Sequence, residues 1–266
     1  MKTLSNQTFE AVTQLFRRVS GIQLGPAKQA LVAGRLQRLA QEAGDNDVEA
    51  YAQRLIRGQA PREEMTRLID RLTTNETYFF REPQHFEHLA ARLARHDSAR
   101  ELCVWSAAAS SGEEAYSIAM LLADKLGDAP WRVIGTDLST AVLRQAERGL
   151  YPLDRARLTP PEYLKRFCLK GHGEFEGQLL VSRALRTRVS FRQANLMQQL
   201  PELPTFDVIF LRNVLIYFDN DAKVQIVRRV LERLHADGVL YTGHAESLGN
   251  LELPIRALQT AVYTHG

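Results

Sequence analysis

Between Glu101 and Asp137 (ELCVWSAAASSGEEAYSIAMLLADKLGDAPWRVIGTD) the hydrophobic period changes twice. An apolar run, Leu102 to Trp105, meets very small residues from Ser106 to Gly112, and then Ala115, Ile118, Ala119, Leu122 and Leu126 recur at helical spacing. A second apolar run, Trp131 to Gly135, leads to Asp137. This is strand, tight turn, helix, strand, with a carboxylate at the tip of the second strand. Small turn residues let a ligand approach the backbone, a helix N-terminus offers unpaired N–H groups, and the acid can accept hydrogen bonds from two ribose hydroxyls. The segment therefore predicts a doubly wound α/β fold with a nucleoside-containing cofactor.

The turn narrows the choice of nucleoside. A dinucleotide site uses G-x-G-x-x-G to press backbone against a pyrophosphate, whereas this turn keeps only Gly112. Glu113 and Glu114 open the helix, where they would repel a phosphate and welcome an ammonium and a sulfonium. S-adenosylmethionine carries both. A purely local alternative is that Ser111 to Glu114 form a capping box, with the Glu114 carboxylate reaching back over the helix start.

The rest of the chain bounds the setting. Its 266 residues are 45% hydrophobic and 24% charged, room for a large and a small domain with ordinary soluble composition. The lack of a membrane-length apolar run or a signal-type N-terminus predicts a cytoplasmic protein without membrane insertion. Cys103 and Cys168 have no metal spacing and fit buried, reduced thiols. His85 and His88 are three apart on a probable helix and read as a solvated pair, so no metal is expected. A net charge of +3 falls short of a dedicated nucleic-acid binder.

Residues 1–95 read as a helical bundle, from Phe9, Val12, Phe16 and Val19 through Leu31, Leu36 and Leu39 to Tyr51, Leu55, Met65 and Leu68, with Pro61 and Pro83 as first-turn prolines. The second helix is assigned Lys28, Arg35 and Arg38 with no intervening acid, either a solvated face or a docking surface for an acidic partner. Beyond Asp137, Ser139 caps a helix to about Arg148, and the glycine-rich stretch from Lys170 to Gly177, followed by Leu179 to Val181, suggests a small β insertion. Phe206 to Leu211 is the clearest buried strand and delivers Arg212 and Asn213 to its carboxyl end. Val224 to Leu234 read as a helix, Gly238 to Thr242 as a strand and Ala257 to Thr264 as the last strand segment.

Four blocks in order, TNETYFFR (74–81), WSAAASSGEEAYSIAM (105–120), GTDLS (135–139) and FLRNVLIYF (210–218), resemble the signature segments of the CheR family of bacterial chemotaxis receptor methyltransferases. The resemblance implies a Rossmann-like class I methyltransferase sheet at 74–266, a helical domain at 1–73 and an antiparallel β insertion at about 168–186. It implies a monomer that transfers a methyl from S-adenosylmethionine to glutamates of chemoreceptors for sensory adaptation, releasing S-adenosylhomocysteine. Asp137 would hold the ribose, and Asn195 and Leu196 would border the adenine. Asn75, Thr77 and Arg81 would close over the methionine end with Glu114 beneath, Arg212 and Asn213 would line the same pocket, and Arg81 and Tyr217 would stand at the transfer point. Lys28, Arg35 and Arg38 would dock the receptor.

Two departures from the family pattern stand out. Ala115 replaces a common proline, and Leu180 occupies the insertion where members that bind a receptor C-terminal tether present a basic residue. The competing reading is a catalytically idle cofactor-binding adaptor of receptor arrays, which would need neither Arg81 nor Tyr217. A nucleic-acid methyltransferase is disfavoured because no Asn-Pro-Pro-aromatic turn follows Leu211. An ionised glutamate, with a reference pKa of about 4.3, needs no general base, which suits a chain in which no Ser/His/Asp or Cys/His set can be assembled.

Overall fold

A computed structural model describes residues 4–97 and 99–266. Four helices come first: α1 (Asn6–Ser20), α2 (Gln29–Glu42), α3 (Val48–Ile56) and α4 (Arg62–Leu72). Helix α1 starts where the Ser5 hydroxyl accepts from the Thr8 amide and stops at Gly21, whose φ of 77° lets its N–H reach the Arg17 carbonyl. The apolar faces meet in one core containing Val12, Phe16, Val32, Leu36, Tyr51, Leu55 and Leu68. Lys28 lies in a single 3₁₀ turn (Pro26–Lys28) ahead of α2 instead of on the helix, and Pro61 is the N-cap of α4 instead of a first-turn residue. Pro83 does open α5 (Pro83–Leu93).

The strand–helix–strand expected from the sequence is β1 (Leu102–Ser106), α6 (Glu113–Leu126) and β2 (Trp131–Asp137), followed by α7 (Thr140–Arg148). A separate three-stranded antiparallel sheet is made by β3 (Leu150–Pro152), β4 (Cys168–Lys170) and β5 (Gln178–Val181), in the order β3-β5-β4, with α8 (Pro161–Phe167) between its first two strands. Its first strand precedes the 168–186 span expected from the sequence. A three-residue strand ending in proline has too short a period to register as one.

After the short α9 (Arg183–Arg186) come β6 (Val189–Gln193), β7 (Phe206–Leu211), α10 (Asn220–Leu231), β8 (Leu234–Thr242), β9 (Ile255–Gln259) and β10 (Val262–His265). Helix α10 is displaced from the predicted 224–234 because Asp219 caps it, accepting from the Ala222 amide at 2.9 Å, and Leu234 already belongs to β8. The final segment is a hairpin, broken by Ala261 at φ 59°. The large sheet has the order β6-β2-β1-β7-β8-β10-β9 and is parallel from β6 to β8. The order in which strands are added reverses between β1 and β7, with β2 and β6 laid down on one side of β1 and with β7 and β8 on the other, and open α/β sheets bind ligands at the carboxyl ends flanking such a switch.

The helical bundle is fastened beside that point on two sides. Asp70 of α4 accepts from the Ser139 hydroxyl at 2.8 Å and the Ala141 amide at 3.3 Å at the start of α7. Opposite, the Asn195 amide donates to the Val19 carbonyl at 2.8 Å and the Gln23 N–H to the Tyr217 carbonyl at 3.0 Å. The Arg17–Asp219 ion pair, 2.7 Å, is exposed on both partners, so it adds at most about 1 kcal/mol. Packing carries more: a Cβ on Gly21 would stand 2.3 Å from Met197 Cγ and 2.9 Å from Phe218.

Gly21→Ala should therefore destabilise by about 1–3 kcal/mol, lowering Tm by roughly 3–10 °C. Gly34→Ala, in an exposed turn of α2 with nothing within 4 Å of the new methyl, should raise stability by about 0.5–1 kcal/mol. Thermal unfolding of both variants checks the opposite signs.

Candidate active site

The turn after β1 is stitched to both neighbours of that strand. The Ala107 amide donates to the Phe210 carbonyl and the Ala109 amide to the Thr136 carbonyl, each at 2.8 Å. Gly112 is required: its φ is 96°, and a Cβ would lie 2.7 Å from the Ala146 Cβ and 2.8 Å from the Tyr151 hydroxyl. No capping box forms. Gly112 itself is the N-cap without a side-chain bond, and the Ser111 hydroxyl turns to Glu113 at 2.7 Å. That releases Glu114 to face the cleft, where it accepts from the Ser106 hydroxyl at 2.7 Å and from Arg212 at 3.0 Å.

Asp137 ends β2 with its carboxylate between two backbone donors, the Ser110 and Ser139 amides, both at 2.9 Å. Burial pushes its carboxyl above the ordinary range, and these N–H groups offset part of that. The Asn195 side chain is engaged at both ends, donating to Val19 and accepting from the Met197 amide at 2.9 Å. An amide keeps one further donor and one further lone pair, so it can still meet a ligand. Leu196 beside it is buried.

At the carboxyl end of β7 lies a buried charge cluster. The Arg212 side chain is 1% exposed and donates to Glu114 and to Glu82, each at 3.0 Å, and to the Arg81 carbonyl. The rings of Phe86 and Phe210 flank it, each 5.8 Å from the guanidinium carbon. Glu82 holds a left-handed φ of 56°, which for a side chain other than glycine costs about 1–2 kcal/mol. Burial raises the Glu82 carboxyl, but Arg212 and the Asn213 amide, 3.2 Å away, more than offset it and leave it below the usual range. For Glu114 burial wins over Arg212, and its carboxyl is raised.

Arg81 contrasts with Arg212. It is half-buried, donates to the Glu76 carbonyl at 3.0 Å and lies 5.8 Å from the Tyr78 ring, with no carboxylate partner among the described residues. Tyr217 shares its surroundings: burial raises the phenol, and the nearby Arg81 charge draws it back. Asn75 bonds the Thr73 hydroxyl at 3.2 Å and accepts through its carbonyl from Ser110 at 3.3 Å, while Thr77 is buried and accepts from Arg155 through its carbonyl.

Asn75, Thr77, Arg81, Glu114, Asp137, Asn195, Leu196, Arg212, Asn213 and Tyr217 line one cleft, about 1230 Å³ including the open solvent at its mouth, with Lys28 at its rim; Glu82, Ser106 and Phe210 are not part of its lining. Arg35 and Arg38 lie outside it: Arg35 reaches the Thr73 carbonyl at 3.3 Å and Arg38 is exposed on α2. The chemistry of the walls suits a cationic adenosyl ligand. Asp137 and Glu114 offer acceptors, Leu138, Leu196 and Phe86 are apolar, and the turn carries acids where a pyrophosphate would need N–H groups and cations.

Three expectations change. His85 is not solvated but 1% exposed, and it packs against Tyr241 and His244 with ring centroids 5.3 and 4.8 Å away; His88 bonds the Tyr241 hydroxyl at 2.8 Å. Helix α5 turns that face toward the end of β8, which hydropathy alone cannot show for histidine. Glu82, His85 and His244 bring one ligand atom each within 4.8 Å of one another, though any cation there would compete with Arg212 for Glu82. Cys168 is only half-buried, unlike Cys103. Sequence reasoning also missed Glu82 and Glu246. Glu82 precedes a helix-opening proline and reads as an ordinary first-turn acid, and Glu246 sits in a short polar turn.

Family models match nearly the whole chain. The CheR methyltransferase SAM-binding domain matches residues 75–264, and the CheR methyltransferase all-alpha domain matches residues 7–73. The chemotaxis protein methyltransferase of Salmonella typhimurium is 41% identical over 251 residues, covering 93% of this chain and 86% of its own. That of Escherichia coli is 40% identical, covering 94% and 87%. Chemotaxis protein methyltransferase 2 of Pseudomonas aeruginosa is 37% identical, covering 98% and 93%.

Burial, chiefly, with Arg212 adding to it, pushes the His85 imidazole down to about 3. The unfolded chain takes up that proton below about 6.5 and the folded chain does not, so this residue's contribution to stability falls as pH drops from about 6.5 toward 3. Proton NMR of the histidine rings should show His85 unchanged from pH 8 to 5, and a midpoint near neutrality would contradict its placement.

Proposed function

The chain belongs to the CheR methyltransferase family, and from that premise we propose that it methylates glutamate side chains on the cytoplasmic helices of chemoreceptors. S-adenosylmethionine is its cofactor; when bound, it supplies a sulfonium methyl that an ionised carboxylate can accept without any proton transfer. The observation that carries the glutamate reading is the pairing of the two arginines. Arg212 is neutralised by two acids, whereas Arg81, at the cleft wall beside Tyr217, has no carboxylate partner among the described residues. An acidic acceptor is drawn toward Arg81.

In this reading Asp137 binds the ribose hydroxyls, Asn195 and Leu196 border the adenine, and Asn75, Thr77, Glu114, Arg212 and Asn213 close around the methionine portion. Arg81 aims the acceptor carboxylate, and Tyr217 confines it. Arg81 is half-exposed and shared with a backbone carbonyl, so it orients the anion without an ion pair tight enough to favour the ground state over the charge-neutralising transition state. Proximity, alignment and exclusion of water then account for the rate.

Lys28 at the cleft rim and Arg38 on the exposed side of α2 form the docking surface for an acidic receptor helix. Arg35 contributes less because it is tied to Thr73. The three-stranded sheet, with Leu169 and Phe175 exposed, is the place where a receptor C-terminal tether would add. The protein acts as a cytoplasmic monomer, and esterification of receptor glutamates serves sensory adaptation.

Incubation with labelled S-adenosylmethionine and receptor-containing membranes should give label released as methanol by mild alkali; alkali-stable label would point to N-methylation and overturn the reading. Arg81→Ala should lower kcat on the order of 10²-fold while S-adenosylhomocysteine binds with nearly unchanged heat and affinity. Asp137→Ala should weaken that binding roughly 10- to 100-fold, as read by calorimetry. Reversing charge at Lys28 and Arg38 should raise KM for receptor several-fold at low salt and leave KM for the cofactor alone.

A further inference from the structure

Glu246 lies outside the cleft and outside every role assigned above, yet it is 5% exposed and its carboxylate is surrounded by main-chain donors. The Asn213 amide donates to it at 2.6 Å, the Gly243 amide at 2.7 Å and the Ile216 amide at 3.2 Å, with the Leu215 amide also directed to it. One side chain after β8 thus satisfies the N–H groups of the segment after β7. That segment is under constraint: Asn213 has φ 56°, and the 3₁₀ turn Leu215–Tyr217 begins without a side-chain cap of its own. Space for the arrangement is fixed by Gly243, where a Cβ would fall 2.6 Å from the Asn213 side-chain nitrogen and 2.7 Å from the Glu246 carboxylate.

We propose that Glu246 is a positioning residue for methyl transfer, its carboxylate fixing the 213–217 segment so that Asn213 and Tyr217 face Arg81 across the cleft. The proposal rests on the reading of Tyr217 as a residue at the transfer point. Buried N–H groups left without an acceptor are costly, and the segment's other bonds, from the Asn213 side chain to Glu82 and from the Gln23 N–H to the Tyr217 carbonyl, leave the Asn213 and Ile216 N–H groups to Glu246. Glutamine keeps the size of Glu246 but replaces one acceptor oxygen with a donor, which two of the N–H groups cannot use. Misplacement of about 1 Å at a reacting centre costs on the order of 10² in rate.

The test is a cycle of Glu246→Gln, Tyr217→Ala and the double variant, assayed with receptor membranes against wild type, with hydrogen exchange of residues 213–218 and S-adenosylhomocysteine calorimetry on each. Glu246→Gln should lower kcat roughly 10- to 100-fold, weaken cofactor binding by clearly less than it lowers kcat, and speed exchange in 213–218 while other segments stay protected. The double variant should be no slower than Tyr217→Ala alone, because the two act as a unit. Additive losses, full activity in Tyr217→Ala, or unchanged exchange in 213–218 overturn the proposal; so does a parallel fall in rate, cofactor affinity and Tm, which marks a purely structural role. If Glu246→Gln does not fold, Glu246→Asp decides, since it keeps the charge but withdraws it by one methylene: a folded, fully active Asp variant overturns the proposal, and failure of both to fold assigns the carboxylate to stability and also overturns it. Wild type inactive toward receptors would instead overturn the function proposed above, while the exchange measurement would still report on Glu246.

Discussion

A single desolvated guanidinium organises this molecule's catalytic half. Arg212 ties the end of β7 to the first turn of α6 through Glu114 and to the start of α5 through Glu82 and the Arg81 carbonyl. With the side chain 1% exposed between Phe86 and Phe210, removing one partner would strand a charge in a low-dielectric interior, a loss of about 3–5 kcal/mol. The cluster is thus committed to its geometry, and the left-handed backbone of Glu82, φ 56°, is held by it. Strain of this kind persists only where the surroundings over-determine it.

Neutralising Arg212 also sets the field inside the cleft. Two acids against one buried cation leave that wall with an acidic character, and Arg81, whose carbonyl accepts from Arg212 and whose charge reaches Glu114, supplies positive potential beside it. The sheet edge sets the spacing: β1 and β2 deliver Ser106 and Asp137, and β7 delivers Arg212 and Asn213. Among the described residues no helix is long and apolar enough to cross a membrane.

Much of this was readable from the chain because the informative features are local. The small-residue turn, the acid after β2 and the all-buried run Phe206–Leu211 each announce themselves within a few positions. Asn75, Asp137 and Tyr217 do meet in one cleft. What escaped depends on partners far along the chain. Glu114 looked like a cap because Ser111 is near in sequence, and its real partner Arg212 is 98 residues away. His85 looked solvated because its neighbours Tyr241 and His244 belong to the far end of the chain. The strand Leu150–Pro152 was invisible because its pairing with β5, and not its own pattern, makes it a strand.

The bond from Asn195 to the Val19 carbonyl has an architectural cost. A wall of the cleft is anchored not in the sheet but in the last turn of α1, and Gly21 leaves no slack between Met197 and Phe218. The sheet domain is therefore not a detachable engine onto which evolution, or an engineer, could graft a different docking module unchanged. Any replacement would have to reproduce that one carbonyl, or accept a cleft left ajar beside Asn195.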